Sequence, residues 1–232
     1  MLLRRRAMMG AADTLEGKIG SLAVGTLVTI ADVGTFILVH QGNPDESVYD
    51  SSCDGSWLLA QGDLGLSSRF GSDSNYFSST ANKRLETNFI PLLPSSLSAS
   101  ILTVKIPVFY GGTLYKLDEG LTCQTFIPAA IEFGYSPEYD PDIPGDGATL
   151  DYFVGTNPGT GSSNADPKRE YSGDKFHWLR SPVGTSTSEI WINSTRGAGA
   201  PRSANYEYDL RPCIILDKKT PLGGDLVVDN NT

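Results

Sequence analysis

Apolar positions in this chain come in short runs, and most runs fit strands rather than helices. Ser21 to His40 reads SLAVGTLVTIADVGTFILVH, with β-rich runs around Gly25–Ile30 and Thr35–Val39. Ala31-Asp32-Val33-Gly34 between them predicts a hairpin. Gln41 to Asp54 is polar loop, and Ser56 to Ala60 (SWLLA) predicts a short strand. The period changes between Asn75 and Leu93. There Ala81, Leu85 and Phe89 fall at i, i+4 and i+8, with Lys83, Arg84 and Glu86 elsewhere. Ser78 or Ser79 supplies an N-cap and Pro91 a stop, so this is the clearest predicted helix. A second helical turn is predicted over Ser95–Ile101. Strands are predicted over Leu102–Val108, ending near Pro107, and over Gln124–Phe133, weakened by Pro128. Phe176–Arg180, Glu189–Asn193 and Cys213–Leu216 complete the set, the last within a strand-like piece that opens at Asp209.

This pattern predicts an α+β class with short, mostly antiparallel strands, one or two helices and long loops. With 232 residues the chain is long enough for one sizeable core and short for two full domains. The expected division is an N-terminal tail or attachment segment (1–16), one domain (17–216) and a loosely held C-terminal tail (217–232). The 25 Gly and 14 Pro fit many short elements joined by turns.

Charge narrows the partners. Eighteen basic and 27 acidic residues give a net charge of −9, which repels phosphate backbones and argues against nucleic acid. Solubility alone also accounts for the charge. The start, MLLRRRAMMGAAD, has basic residues but no apolar segment like that of a secretory signal. No run approaches the ~18 apolar residues of a membrane span, so no membrane insertion is expected. The three cysteines, Cys53, Cys123 and Cys213, are far apart, which excludes a zinc ribbon and predicts partly buried free thiols.

Catalytic chemistry is weakly represented, and no enzyme is expected. The two histidines, His40 and His177, sit in apolar settings that favour structural roles, and no G-x-S-x-G elbow occurs. Gly155–Gly161 is glycine-rich but lacks the Lys-Ser/Thr of a phosphate loop. The acidic stretch with Glu138, Asp140, Asp142, Asp146 and Asp151 offers a calcium candidate at Asp140, Asp142 and Asp146. The alternative is a solvated acidic loop stiffened by Pro141 and Pro144. The richest region is FHWLRSPVGTSTSEIWINSTRGAGAPRSANYEYDLRPCIIL. Trp191, Asn193, Thr195, Arg196, Arg202, Asn205, Tyr206 and Tyr208 are types that dominate binding surfaces, and they form the candidate ligand-binding set. Trp178 reads as core. Asn193-Ser194-Thr195 matches a glycosylation sequon, discounted for want of a secretory signal.

These blocks carry a resemblance. The Arg/Met-rich start, VGTLVTI…FILVHQGNP…YDSSCDGSWLL, NYFSSTANKRLETNFIPLL, KIPV, WLRSP and RPCIIL together resemble an uncharacterised family of phage and prophage proteins from gut Firmicutes. The match runs from about Gly17 to Leu216. The closing WLRSP…RP pattern is similar to the C-type-lectin-like fold of formylglycine-generating enzymes and of variable ligand-binding proteins. The resemblance implies a compact scaffold presenting Trp191 to Tyr208 on a binding face. Trp178, Leu179, Arg180, Arg211 and Pro212 would be scaffold, with Arg180 and Arg211 needing buried partners. It implies a virion-associated protein, made in the host cytoplasm, on a tail or head fibre, binding a host-surface glycan or protein. Other virion proteins and further copies of the chain are the expected neighbours. A decoration subunit without a ligand is the alternative. The closely spaced cysteines of the enzyme branch are missing, which argues against that activity.

Overall fold

The computed structural model describes residues 17–171 and 175–229. The expected N-terminal tail, with Arg4 to Arg6, lies outside the described residues, as do the last three positions. The strands in chain order are β1 (Leu27–Ile30), β2 (Gly34–Gly42), β3 (Gly55–Ala60), β4 (Ser67–Arg69), β5 (Val104–Ile106), β6 (Val108–Tyr110), β7 (Thr113–Tyr115) and β8 (Leu121–Cys123). They continue with β9 (Thr125–Phe126), β10 (His177–Pro182), β11 (Glu189–Asn193), β12 (Gly199–Ser203), β13 (Glu207–Asp209), β14 (Cys213–Leu216) and β15 (Leu226–Val228). Helix α1 is Thr80–Arg84. Among the described residues, short strands, one α-helix and long loops make the class α+β. No described helix is long and apolar enough to cross a membrane.

Two sheets organise the chain. One runs β15-β1-β2-β3-β14-β9 and the other β12-β11-β10-β13-β4, with two small pairs, β5-β8 and β6-β7. Every named pairing is antiparallel except β10 with β13. The predicted hairpin is β1-β2, turned at Asp32 in the left-handed region (φ 61°), a conformation its short polar side chain tolerates. β3, β10 and β14 are buried along their whole lengths, so both of their faces are covered. In β3 and β14 this matches a nearly unbroken apolar run. In β10 it buries His177, Arg180 and Ser181 as well.

The predicted helix forms, but its winding changes. Ser79 caps α1 by accepting from the Asn82 amide at 3.0 Å. The coil then passes through a π turn (Leu85–Phe89) and a 3₁₀ turn (Ile90–Leu92) containing Pro91. Apolar residues four apart drift by about 40° per step on a 3.6-residue turn. The wider π turn takes up that drift, and Ala81, Leu85 and Phe89 are all buried. Ser95–Leu97 is the second predicted turn.

Three expectations need correction. Pro107, which has no amide hydrogen to donate, splits the strand expected over 102–108 into β5 and β6. Only Thr125–Phe126 of the strand expected over 124–133 pairs. Beyond Pro128 the chain coils into a 3₁₀ turn (Ile131–Phe133) closed by Gly134 at φ 80°. The expected C-terminal tail is largely integral. β15 pairs with β1 through Val28↔Val228, and Thr220 and Leu226 are buried, so β1 is not left as a bare edge.

Replacing Ser79 with Ala removes the cap and is expected to lower unfolding stability by about 1 kcal/mol. Urea denaturation of wild type and S79A checks this through a shift in midpoint at unchanged slope.

Candidate functional site

The surface expected to bind rests on a polar interior built around β10. Between Trp178↔Ile192 and Pro182↔Ile190, three residues of β10 face one of β11, an irregularity that re-aims Arg180 and Ser181. The Arg180 amide donates to Pro128 O at 2.9 Å instead of to the sheet. Its guanidinium is wholly buried and meets Glu132 in a fork, Nη1 to Oε2 at 2.7 Å and Nη2 to Oε1 at 2.5 Å. The remaining donors reach Pro107 O (3.0 Å), Ile127 O (3.2 Å) and Asp146 O (3.2 Å). All five guanidinium hydrogens are therefore used. Glu132 is equally full: Tyr49 Oη donates to Oε1 at 2.6 Å and the Ala129 amide to Oε2 at 2.9 Å. Burial opposes the charge on Arg180, but Glu132 outweighs it and raises the guanidinium above its ordinary value.

Beside this pair lies Asp146, also fully buried, whose two oxygens contact Ser181 Oγ at 2.9 and 2.8 Å. Gly147 follows it because a Cβ there would stand 2.7 Å from Tyr49 Oη and 3.1 Å from Glu132 Cγ. The other two buried arginines have no carboxylate fork. Arg211 donates to Ala60 O (2.7 Å), Arg169 O (3.2 Å) and Gln61 Oε1 (2.9 Å), and lies over the rings of Phe133 and Tyr171. Burial pulls its pKa down to about 10. Arg169 stacks 3.8 Å from the Tyr135 ring and donates to Phe133 O and Thr156 Oγ1.

The predicted binding residues do not form one cluster. Trp191, only 3% exposed, is capped by the acidic loop, its Nε1 donating to Asp142 O at 3.1 Å. Asn193 is buried, accepting from Tyr135 Oη (2.9 Å) and donating to Arg169 O (2.7 Å). Both are corrected to scaffold, and the sequon amide has no free face for a glycan. Thr195 is half-buried and Arg196 exposed in the β11-β12 turn. Arg202 is half-buried on edge strand β12, with Nη1 returning to Pro201 O at 2.7 Å. Asn205 and Tyr206 occupy the β12-β13 turn, at the other end of β12 from Arg196, about 13 Å along a strand of this length.

That second end is aromatic. Tyr206 is 57% exposed, and its ring centroid lies 6.2 Å from that of Tyr208. Tyr208 is half-buried, 5.7 Å from Phe176 (37% exposed) and 4.9 Å edge-on to buried Trp178. Trp178 is itself fixed by Nε1 donating to Ser68 O at 2.9 Å. The arrangement is a row of rings rising from core to solvent. Phe176 was not in the predicted set; its place beside Tyr208 follows from the β10-β13 pairing His177↔Asp209.

The acidic loop does not converge on a centre. Asp140 accepts from Thr160 Oγ1 at 2.5 Å, Asp142 and Glu138 are exposed, Asp146 belongs to the buried network, and Asp151 lies 2.8 Å from His40 Nδ1. Among the described residues no three His, Cys, Asp or Glu side chains gather as metal ligands. The three carboxylates of the calcium candidate, Asp140, Asp142 and Asp146, stand apart with separate surroundings. The three thiols are free and buried, and burial pushes them up, Cys53 to about 12. His177 is fully buried beside Phe133 and Tyr171; burial, then Arg211, holds its pKa well down.

A family model described as "Domain of unknown function (DUF6273)" matches residues 54–218. The chain belongs to the DUF6273 family. The DUF6273 region takes in the Arg180–Glu132 pair, the acidic loop and the aromatic row, and omits β1, β2 and β15. Neither the curated proteins nor the solved structures contain a match.

Gly147→Ala forces a methyl group against Tyr49 and Glu132. Thermal unfolding should report a loss of about 1–3 kcal/mol, as for other overpacked sites.

Proposed function

We propose that this chain is a phage virion-associated recognition protein that binds a host-surface glycan or protein through the Phe176–Tyr208–Tyr206 row. One observation carries the reading: large aromatic side chains stand in solvent while being braced, ring against ring, on buried Trp178. Exposed aromatic residues on a rigid base lose little conformational freedom on binding and offer large contact areas. Asn205, beside Tyr206, supplies an adaptable polar group at the rim. Thr195 and Arg196 lie beyond the other end of β12 and are peripheral to this surface, while Arg202 lies one residue from the end of β12 that leads to Tyr206. The particle and the host as setting come from the resemblance of the ordered sequence blocks. The same resemblance supports a C-type-lectin-like arrangement of the α+β scaffold, with its binding face in the last third.

A second reading, a decoration subunit held by its neighbours, is favoured by a different place. An open groove of about 610 Å³ runs beside edge strand β15, lined by Leu22, Val24, Leu27, Leu222 and Val228, with Val227 exposed nearby. Contact between copies there is compatible with ligand binding at the aromatic row.

The test is binding of the purified chain to host envelope fragments and a glycan array. Tyr206→Ala and Phe176→Ala should each weaken binding about 30-fold, the size of a hot-spot loss near 2 kcal/mol. Arg196→Ala should leave affinity within about twofold, and circular dichroism should be unchanged in all three. Equal binding by wild type and Y206A refutes the assignment of the surface.

A further inference from the structure

Hydrogen bookkeeping at Asp146 and Ser181 points to a proton that the rest of the fold does not need. Ser181 Oγ accepts the Ala130 amide at 2.8 Å, and a hydroxyl has one hydrogen to give. Yet both oxygens of Asp146 lie within hydrogen-bond distance of Oγ, at 2.9 and 2.8 Å. A carboxylate must share that single hydrogen between its two oxygens, which weakens both contacts. A carboxylic acid fills both: Ser181 donates to one oxygen, and the other returns its own O–H to Ser181.

Charge counting agrees. The groups facing Asp146 are Arg180 and Ser181 of β10, Glu132 of the 131–133 turn, and Tyr49, which donates to Glu132. Arg180 is already matched by Glu132, so an ionised Asp146 adds a second negative charge with no cation of its own in a site closed to water. Asp146 also lies in a loop with a visible task. Asp142 O in that loop accepts from Trp191 Nε1 and, at 2.7 Å, from the Gly184 amide. The loop thereby covers β11 and the turn after β10.

We propose that Asp146 is kept as a carboxylic acid and that its proton latches the loop of residues 136–151 onto β10, which loosens when the proton leaves.

Burial pushes the Asp146 carboxyl up, against the pull of Arg180 and Ser181, to about 7. Because the folded value lies above the ordinary one, the latch is complete below the usual carboxylate range. It is lost as pH rises through about 7. Buried His40 and His177, held low, act with the opposite sign on the whole fold, losing their contribution as pH falls. The readout must therefore be local.

Hydrogen exchange of residues 139–150, corrected for the intrinsic dependence of exchange on pH, tests the latch. In the wild type, protection should fall about tenfold between pH 5 and 6, go on falling toward about pH 7, and level off above about pH 7.5. Trp191 fluorescence should change over the same range. In Asp146→Asn the carboxamide N–H replaces the acid O–H toward Ser181, and protection should stay level across the range. A level wild-type profile, or an Asn variant that follows the wild type, overturns the proposal. Should D146N fail to fold, carbon-13 titration of the wild-type Asp146 carboxyl decides: a midpoint near 7 supports the latch, and one in the ordinary carboxylate range overturns it.

Discussion

The fork between Arg180 and Glu132 is the constraint on which the interior depends. Both side chains are fully out of water, a position that costs several kcal/mol per ion unless every polar atom is matched. Here every one is, by the pair itself and by Pro107, the 126–133 segment, the acidic loop and Tyr49. Buried ion pairs are poor sources of net stability compared with apolar packing. Their saturation does dictate geometry. Shifting β10 against these partners would orphan a buried donor or acceptor, so the fork constrains where β10 enters its sheet.

From β10 the constraint reaches the surface. Trp178, two residues before Arg180, is locked to Ser68 O and supports Tyr208, which in turn supports Phe176 and Tyr206. Interior and aromatic row are therefore continuous. Long loops elsewhere are tied down by polar contacts of the same kind, such as Asn193 between Tyr135 and Arg169. This accounts for a chain with so many turns and such short regular elements still having a single connected core.

Local pattern made part of this legible. The β1-β2 hairpin, β3, β11, β14 and the capped helix follow from periodicity and turn residues, because each is decided by neighbours within a few positions. The need of Arg180 for a buried partner followed from the scaffold role that the WLRSP…RP resemblance implies. The identity of that partner was not legible, since Glu132 is 48 positions away and reaches the site only after Pro128 diverts an apparent strand into a 3₁₀ turn. Two members of the binding set, Trp191 and Asn193, lie inside for a related reason. Trp191 and Tyr206 look alike by composition, and only the acidic loop folding over β11 makes one interior while the other stays in water. Phe176 was passed over because its role arises from a parallel pairing with β13, which no sequence spacing announces.

A double-mutant cycle on Arg180→Met and Glu132→Leu measures the central constraint most directly. Each single change strands a buried charge and should cost about 3–5 kcal/mol in denaturant unfolding, while the double change should cost much less than their sum. Additive losses would show that the two side chains do not depend on each other, and would contradict the account.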